Sequence, residues 1–161
     1  MQAVTSRGLC VGRASKLGPV SLSVDVRPLI PPGIYRVRYL DHRTYRAWSE
    51  DKLEIHFGVV DIGEVFETVL SRHYPVKCLS KCGVKGKFRP RTATSSLPVE
   101  FYQCHPDLPR ITRLDRIPMS KWTDGIYNAR VETVEKNFQQ KPLPRQLQYS
   151  VIRELVGRAD M

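Results

Sequence analysis

The most regular hydrophobic–polar pattern in the chain runs from Lys52 to Val60. Leu53, Ile55, Phe57 and Val59 alternate there with Lys52, Glu54 and His56. A period of two puts the apolar side chains on one face of an extended chain, so this stretch predicts a central antiparallel strand. Gly33 to Asp41, GIYRVRYLD, alternates in the same way, with Tyr35, Val37 and Tyr39 on one side and Arg36 and Arg38 on the other. Asp41-His42-Arg43 reads as a turn and Thr44 to Trp48 as a short partner strand, which makes a meander of the three. Gly125 to Glu135 is a further alternating strand, with Tyr127, Ala129, Val131 and Thr133 on one face.

Other stretches are less regular. Val20, Leu22, Val24 and Val26 alternate with polar residues, as an edge strand would. Glu64 to Tyr74 fits two elements: Val65, Phe66, Val69 and Leu70 have helical spacing, and a strand after a turn fits as well. Pro75 ends either one. Val99 to Cys104 reads as a short strand. Between Arg145 and Val156, Leu147, Val151, Ile152 and Leu155 fall on one face of a helix, and Gly157 is a fitting stop.

Together these elements predict a mainly β chain: a small antiparallel OB-like barrel with a C-terminal helix. Residues 1–32, which end in Pro28, Pro31 and Pro32, read as an extended or disordered leader. Residues 33–140 form the β-domain, and residues 141–161 carry the helix packed on it. Length and composition agree with one domain: 161 residues, 41% hydrophobic, and no apolar run near the roughly 20 residues of a membrane span.

Charge adds a location to this picture. The formal net charge is +10, and residues 77–121 hold ten basic and three acidic residues. Within that quarter, the arm 77–91 carries Lys77, Lys81, Lys85, Lys87, Arg89 and Arg91 before any acid, with Phe88 among them. A run of like charge stays in water or lies against a polyanion. Lys and Arg can track phosphates, and an interleaved aromatic ring can stack on a base. The candidate nucleic-acid contacts are therefore these six residues, Phe88, and Arg113 and Arg116 further on. If Phe88 packs into the core instead, the arm is only a charged loop. Tyr35, Tyr39, Tyr45 and Trp48 form a second candidate, as a stacking platform or as ordinary cross-strand packing.

Metal and catalytic chemistry have weaker support. Cys78, Cys82, Cys104, His105 and His73 supply enough zinc ligands, but without the paired spacing of common zinc sites, so free thiols and no cofactor are expected. Asp41, Asp51, Glu54 and Asp61 stand at strand ends without a recognisable divalent-ion spacing, and no phosphate loop or nucleophile elbow is present. The chain reads as a non-enzyme, with a metal-dependent nuclease as the alternative.

DRIPMSKW at Asp115 to Trp122, ARVETVEKN at Ala129 to Asn137, LQYSVIREL at Leu147 to Leu155 and the block from Gly33 to Gly63 resemble small uncharacterised proteins encoded in bacterial phages and integrative elements. The resemblance spans residues 33–156 and implies a bacterial cytoplasm, a mobile-element context and a dispensable stretch 1–28. It carries no assigned activity. The expected function is binding of nucleic acid, single-stranded DNA above all, in replication or transfer of a mobile element. The alternative is a module that binds a host or element-encoded protein, such as an inhibitor of a bacterial defence complex.

Overall fold

A computed structural model describes residues 27–79, 86–110 and 117–160. The expected edge strand over Val20 to Val26 lies outside them. The first strand, β1, runs unbroken over Gly33–Ala47, through the stretch where a turn at Asp41 was expected. Opposite β2 (Glu50–Val59), the register passes from Tyr39↔Phe57 to Asp41↔His56, so Leu40 is one residue extra. This bulge shifts the alternation by one. Val37 and Tyr39 before it, and His42 and Thr44 after it, all face the core side of the sheet. The real turn is Trp48-Ser49, where both residues have positive φ (52° and 67°), the backbone signs of a tight two-residue hairpin turn.

The strand reading of the 64–74 region is the one the chain adopts. β3 covers Val69–Cys78 and pairs antiparallel with β2. Pro75 does not end it, because there only β2 lies alongside; pairing with the short β4 (Phe88–Pro90) begins one residue later, at Val76. Ser96–Cys104 is a helix, α1, where a strand was expected. Its Leu97, Phe101 and Cys104 are buried at helical spacing, and Pro98 sits in the first turn, where a proline is tolerated. β5 (Ile126–Val134) is the strand that the alternation predicted, and it pairs antiparallel with β1.

The expected C-terminal helix is a strand, β6 (Tyr149–Arg158), paired antiparallel with β5. The register jumps from Val131↔Ile152 to Arg130↔Glu154, and from Ala129↔Leu155 to Asn128↔Gly157. Arg153 and Val156 are therefore extra residues. The first of these bulges puts Ile152 and Leu155 on the same buried face, three apart, which is the spacing of a helix. Within 141–160, Tyr149–Arg158 thus belongs to the sheet, and no helix packs on it there.

The six strands lie in the order β4-β3-β2-β1-β5-β6. No ladder joins β3 to β6 among the described residues, so the sheet is open rather than a closed barrel. It curls enough for Cα atoms of β3 and β6 to approach within 8 Å, and α1 fills the seam between them. Glu100 of α1 accepts hydrogen bonds from the Arg72 guanidinium and the Tyr74 hydroxyl of β3 and from the Leu155 amide of β6 (3.1 Å). Gln103 donates to the Val156 carbonyl. Side chains thus satisfy a strand edge that would otherwise offer bare backbone groups. The lead-in 27–32 forms no helix or strand and is docked: Ser150 N donates to Pro28 O at 2.8 Å, and Ile30 is buried.

Inside the curl lies one apolar core. Phe57, Phe101, Trp122 and Tyr127 pack edge to face, with centroids 5.0 to 6.4 Å apart, an arrangement aromatic quadrupoles favour. His105 is part of it, stacked on Phe101 at 4.5 Å with Nδ1 against the Phe101 carbonyl. Burial pushes the Cys104 thiol up to about 12, with the Glu100 carboxylate adding to the shift, so this cysteine behaves as a core residue.

Candidate nucleic-acid interface

With Leu53, Ile55 and Phe57 turned to the core, the alternate residues of β2 form its outer face, and the register lines them up with β1 and β3. Three rows cross the strands: Tyr45·Lys52·Pro75, Arg43·Glu54·His73 and Asp41·His56·Ser71. The middle row holds a carboxylate that is only 8% exposed. Arg43 Nε donates to Glu54 Oε2. His56 Nε2 and His73 Nε2 lie 3.3 and 3.8 Å from Oε1, and the Ser71 side chain also bonds the carboxylate. Burial alone would raise the Glu54 pKa. The Arg43 hydrogen bond, the charge of His73 and the Ser71 bond outweigh it and hold the carboxyl below its ordinary 4.5.

Tyr45 OH sits 3.0 Å from His73 Nδ1. Burial, then the Glu54 charge, raises the Tyr45 pKa, so the phenol keeps its proton. In the tautomer with the His73 ring proton on Nε2, facing Glu54, the hydroxyl donates to Nδ1. Burial lowers His73 below its ordinary 6.5, with Glu54 opposing and Lys52, Arg27 and Arg72 assisting, so the imidazole is neutral at pH 7. A cleft of about 560 Å³ opens over this cluster, closed on the β6 side by Arg27, Pro28 and Tyr149. The Arg27 guanidinium stacks 4.4 Å from the Tyr149 centroid.

At the Tyr45 end of the rows, the β1–β2 turn carries Trp48, which is 83% exposed. Its ring lies 5.5 Å from that of Phe138, 75% exposed, on the β5–β6 connection. Phe138 sits on a tight tip, because Asn137 Oδ1 accepts from the amides of Gln139 and Lys141 (2.9 Å each) and Lys136 bridges to Pro142. Two connections far apart in sequence thus present one exposed aromatic pair.

The predicted basic arm is a hairpin at its base. Lys77 and Arg89 are cross-strand partners, both exposed, on the side of β3 that carries His73. They prolong the outer face. Cys78 and Phe88 are the next pair and point the other way. The Phe88 ring is half-buried against the core, 6.3 Å from His42 and edge-on to it, as the packing reading of this residue requires. Lys87 is exposed, and Arg91 lies 3.8 Å from Glu50. Lys81, Lys85, Arg113 and Arg116 lie outside the described residues.

The aromatic platform divides. Tyr35 and Tyr39 lie on the core side, with Tyr35 OH donating to Pro31 O and Tyr39 OH against His42 Nδ1; Tyr45 is on the outer side, and Trp48 stands in the β1–β2 turn. The candidate acids do not gather, and Asp41 and Glu54 stand inside β1 and β2 rather than at strand ends. Asp61 pairs with Arg36 at 2.6 Å, Asp51 with Arg46 at 2.9 Å and Glu54 with Arg43. Among the described residues no group of three or more His, Cys, Asp or Glu is placed to hold a metal ion. No described helix is long and apolar enough to cross a membrane.

Sequence reasoning missed His56, Arg43, Arg27, Tyr149 and Phe138, and weighed His73 only as a zinc ligand. The alternation over Lys52 to Val59 contained the signal for Glu54 and His56 sharing a face; the register that brings His73 and Arg43 beside them is not local. Set against known proteins, the chain matches no family model, no curated protein and no solved structure.

Proposed function

We propose that this protein binds single-stranded nucleic acid, DNA by preference, along the outer face of β2 and β3. The observation that carries this reading is the exposed Trp48–Phe138 pair beside a face lined with Lys52, His73, Lys77 and Arg89. Large exposed rings are costly in water and suited to stacking on bases, while the cations track phosphates without regard to sequence. The strand order β3-β2-β1-β5-β6, with a helix after β3 at the seam, supports an OB-like reading of the curled sheet. In that class of fold the strand 2–3 face and the loops flanking it grip oligonucleotides; this is an argument from analogy of architecture. The resemblance to proteins of phages and integrative elements supports a role in replication or transfer of such an element in a bacterial cytoplasm. No step of this role needs a reaction or a cofactor.

Fluorescence anisotropy of oligonucleotides over a salt series tests the reading. Binding is expected to weaken with a log–log slope of about −0.7 per phosphate contact. Lys77→Ala with Arg89→Ala lowers that slope. Trp48→Ala with Phe138→Ala leaves the slope unchanged and costs about 1–3 kcal/mol per stacked base. A salt-independent affinity, or an aromatic double variant that binds like the parent, sinks the proposal. Either result favours the alternative of a protein partner.

A further inference from the structure

We propose that the cleft over Glu54 is a site for the phosphate monoester that ends a nucleic-acid strand. This rests on the strand-binding reading above and names what one end of that groove takes.

Charge is the first argument. Arg27 and Arg43 line the cleft, and Lys52 stands in the adjoining row beside Tyr45. Glu54 answers one of them, through its pairing with Arg43. The Arg27 guanidinium lies over a ring, that of Tyr149, which orients it and leaves its charge. His56 and His73 each present Nε2 to the same carboxylate oxygen, at 3.3 and 3.8 Å, and His73, neutral at pH 7, takes up a proton when further negative charge arrives. A phosphate monoester carries about −1.5 to −2 charges at pH 7 and three strong acceptor oxygens. A diester within a strand carries about one charge per phosphate. A cleft lined by two guanidiniums and two imidazoles, with a single carboxylate already paired to Arg43, matches the monoester.

Shape is the second. The chain at Pro28 to Ile30 is fixed to β6 through Ser150: its amide donates to Pro28 O, and its hydroxyl accepts from Ile30 N and donates to Ile30 O. This wall, with Tyr149, closes the cleft on the β6 side. A continuous strand crossing the outer face would have to climb out over the wall, whereas a strand end stops against it.

The test uses one oligonucleotide made with a 5′-phosphate, a 3′-phosphate or hydroxyls at both ends, measured by anisotropy at equal salt. One phosphorylated form is expected to bind at least about tenfold tighter than the hydroxyl-ended form, the effect of one or two charge-assisted hydrogen bonds. Which form gains identifies the end. Arg27→Ala, and separately His56→Gln with His73→Gln, bring the phosphorylated form to the level of the hydroxyl-ended one, with melting curves confirming that each variant is folded. Equal affinity of all three forms for the native protein overturns the inference while leaving strand binding standing. If no oligonucleotide binds, strand binding fails, and titration calorimetry with nucleoside monophosphates decides the cleft. Heat given by the monophosphate and not by the nucleoside supports the site; no heat from either overturns it.

Discussion

Two carboxylates mark the two sides of this sheet, and they are surrounded alike to different ends. Glu100, on the core side, is held by Arg72, by the Tyr74 hydroxyl and by the Leu155 amide. Glu54, on the outer side, is held by Arg43, Ser71 and two imidazoles. The first set is enclosed: Arg72 and Glu100 are 13% and 7% exposed, and burial drives the Tyr74 phenol well above its ordinary pKa, so it stays a donor. The second set opens on a cleft, with Arg43 53% exposed and both imidazoles among the lining. A buried carboxylate with fixed donors sews elements together. One beside a cleft, with partners that reach water and change charge, is equipped to respond to a ligand.

The comparison is most sharply tested at Glu100. Glu100→Ala strands the Arg72 charge in the core and frees the seam between β3 and β6, at an expected cost of about 3–5 kcal/mol. Urea unfolding measures it. A loss below about 1 kcal/mol would mean that the seam is held by packing alone. The basic hairpin gives the next effect. Phe88→Ala on its core side is expected to lower stability by roughly 2 kcal/mol, less than a fully buried ring would cost. Lys77→Ala with Arg89→Ala, on its outer side, leaves the melting curve where it was and weakens oligonucleotide binding. A Phe88 variant that melts like the parent but binds poorly would return this ring to the interface.

The smallest effect is in the pH dependence of stability. The folded-state pKa of His73 lies below its ordinary 6.5. The unfolded chain therefore takes up the proton first as pH falls, and the stability present above pH 6.5 is lost as pH drops through the folded value. Glu54 acts in the same direction at lower pH, since its folded pKa lies below 4.5. Melting temperature is expected to fall modestly between pH 7.5 and about 5.5, and His73→Gln should flatten that interval. A melting temperature that rises over it would mean that His73 gains its proton more easily in the fold.

β2, β5 and the first part of β1 were legible because each keeps a plain period of two over a core stretch, as at Leu53, Ile55, Phe57 and Val59, whereas the bulge at Leu40 made the rest of β1 read as a turn and a second strand. β6 was not, because its bulges at Arg153 and Val156 give Ile152 and Leu155 the spacing of a helix. α1 was obscured by Pro98, which reads as a break in sequence and sits harmlessly in a first turn. For the site, the basic residues at the base of the arm were legible as charge. The Glu54 cluster and the Trp48–Phe138 pair were not, since each joins residues whose neighbourhood is set by strand register and by two distant turns.

The β1–β2 turn has a consequence for how this chain can change over generations. Trp48 and Ser49 both sit at positive φ, where residues other than glycine and asparagine are strained by roughly 1–3 kcal/mol each. A drift toward Asn-Gly at these two positions would make a sturdier hairpin and erase the ring at its tip. Selection for folding alone would take that route readily. A lineage that keeps an aromatic residue in this unfavourable conformation is under pressure from something outside the fold, and aligned relatives would reveal it as a turn that never settles into its easiest sequence.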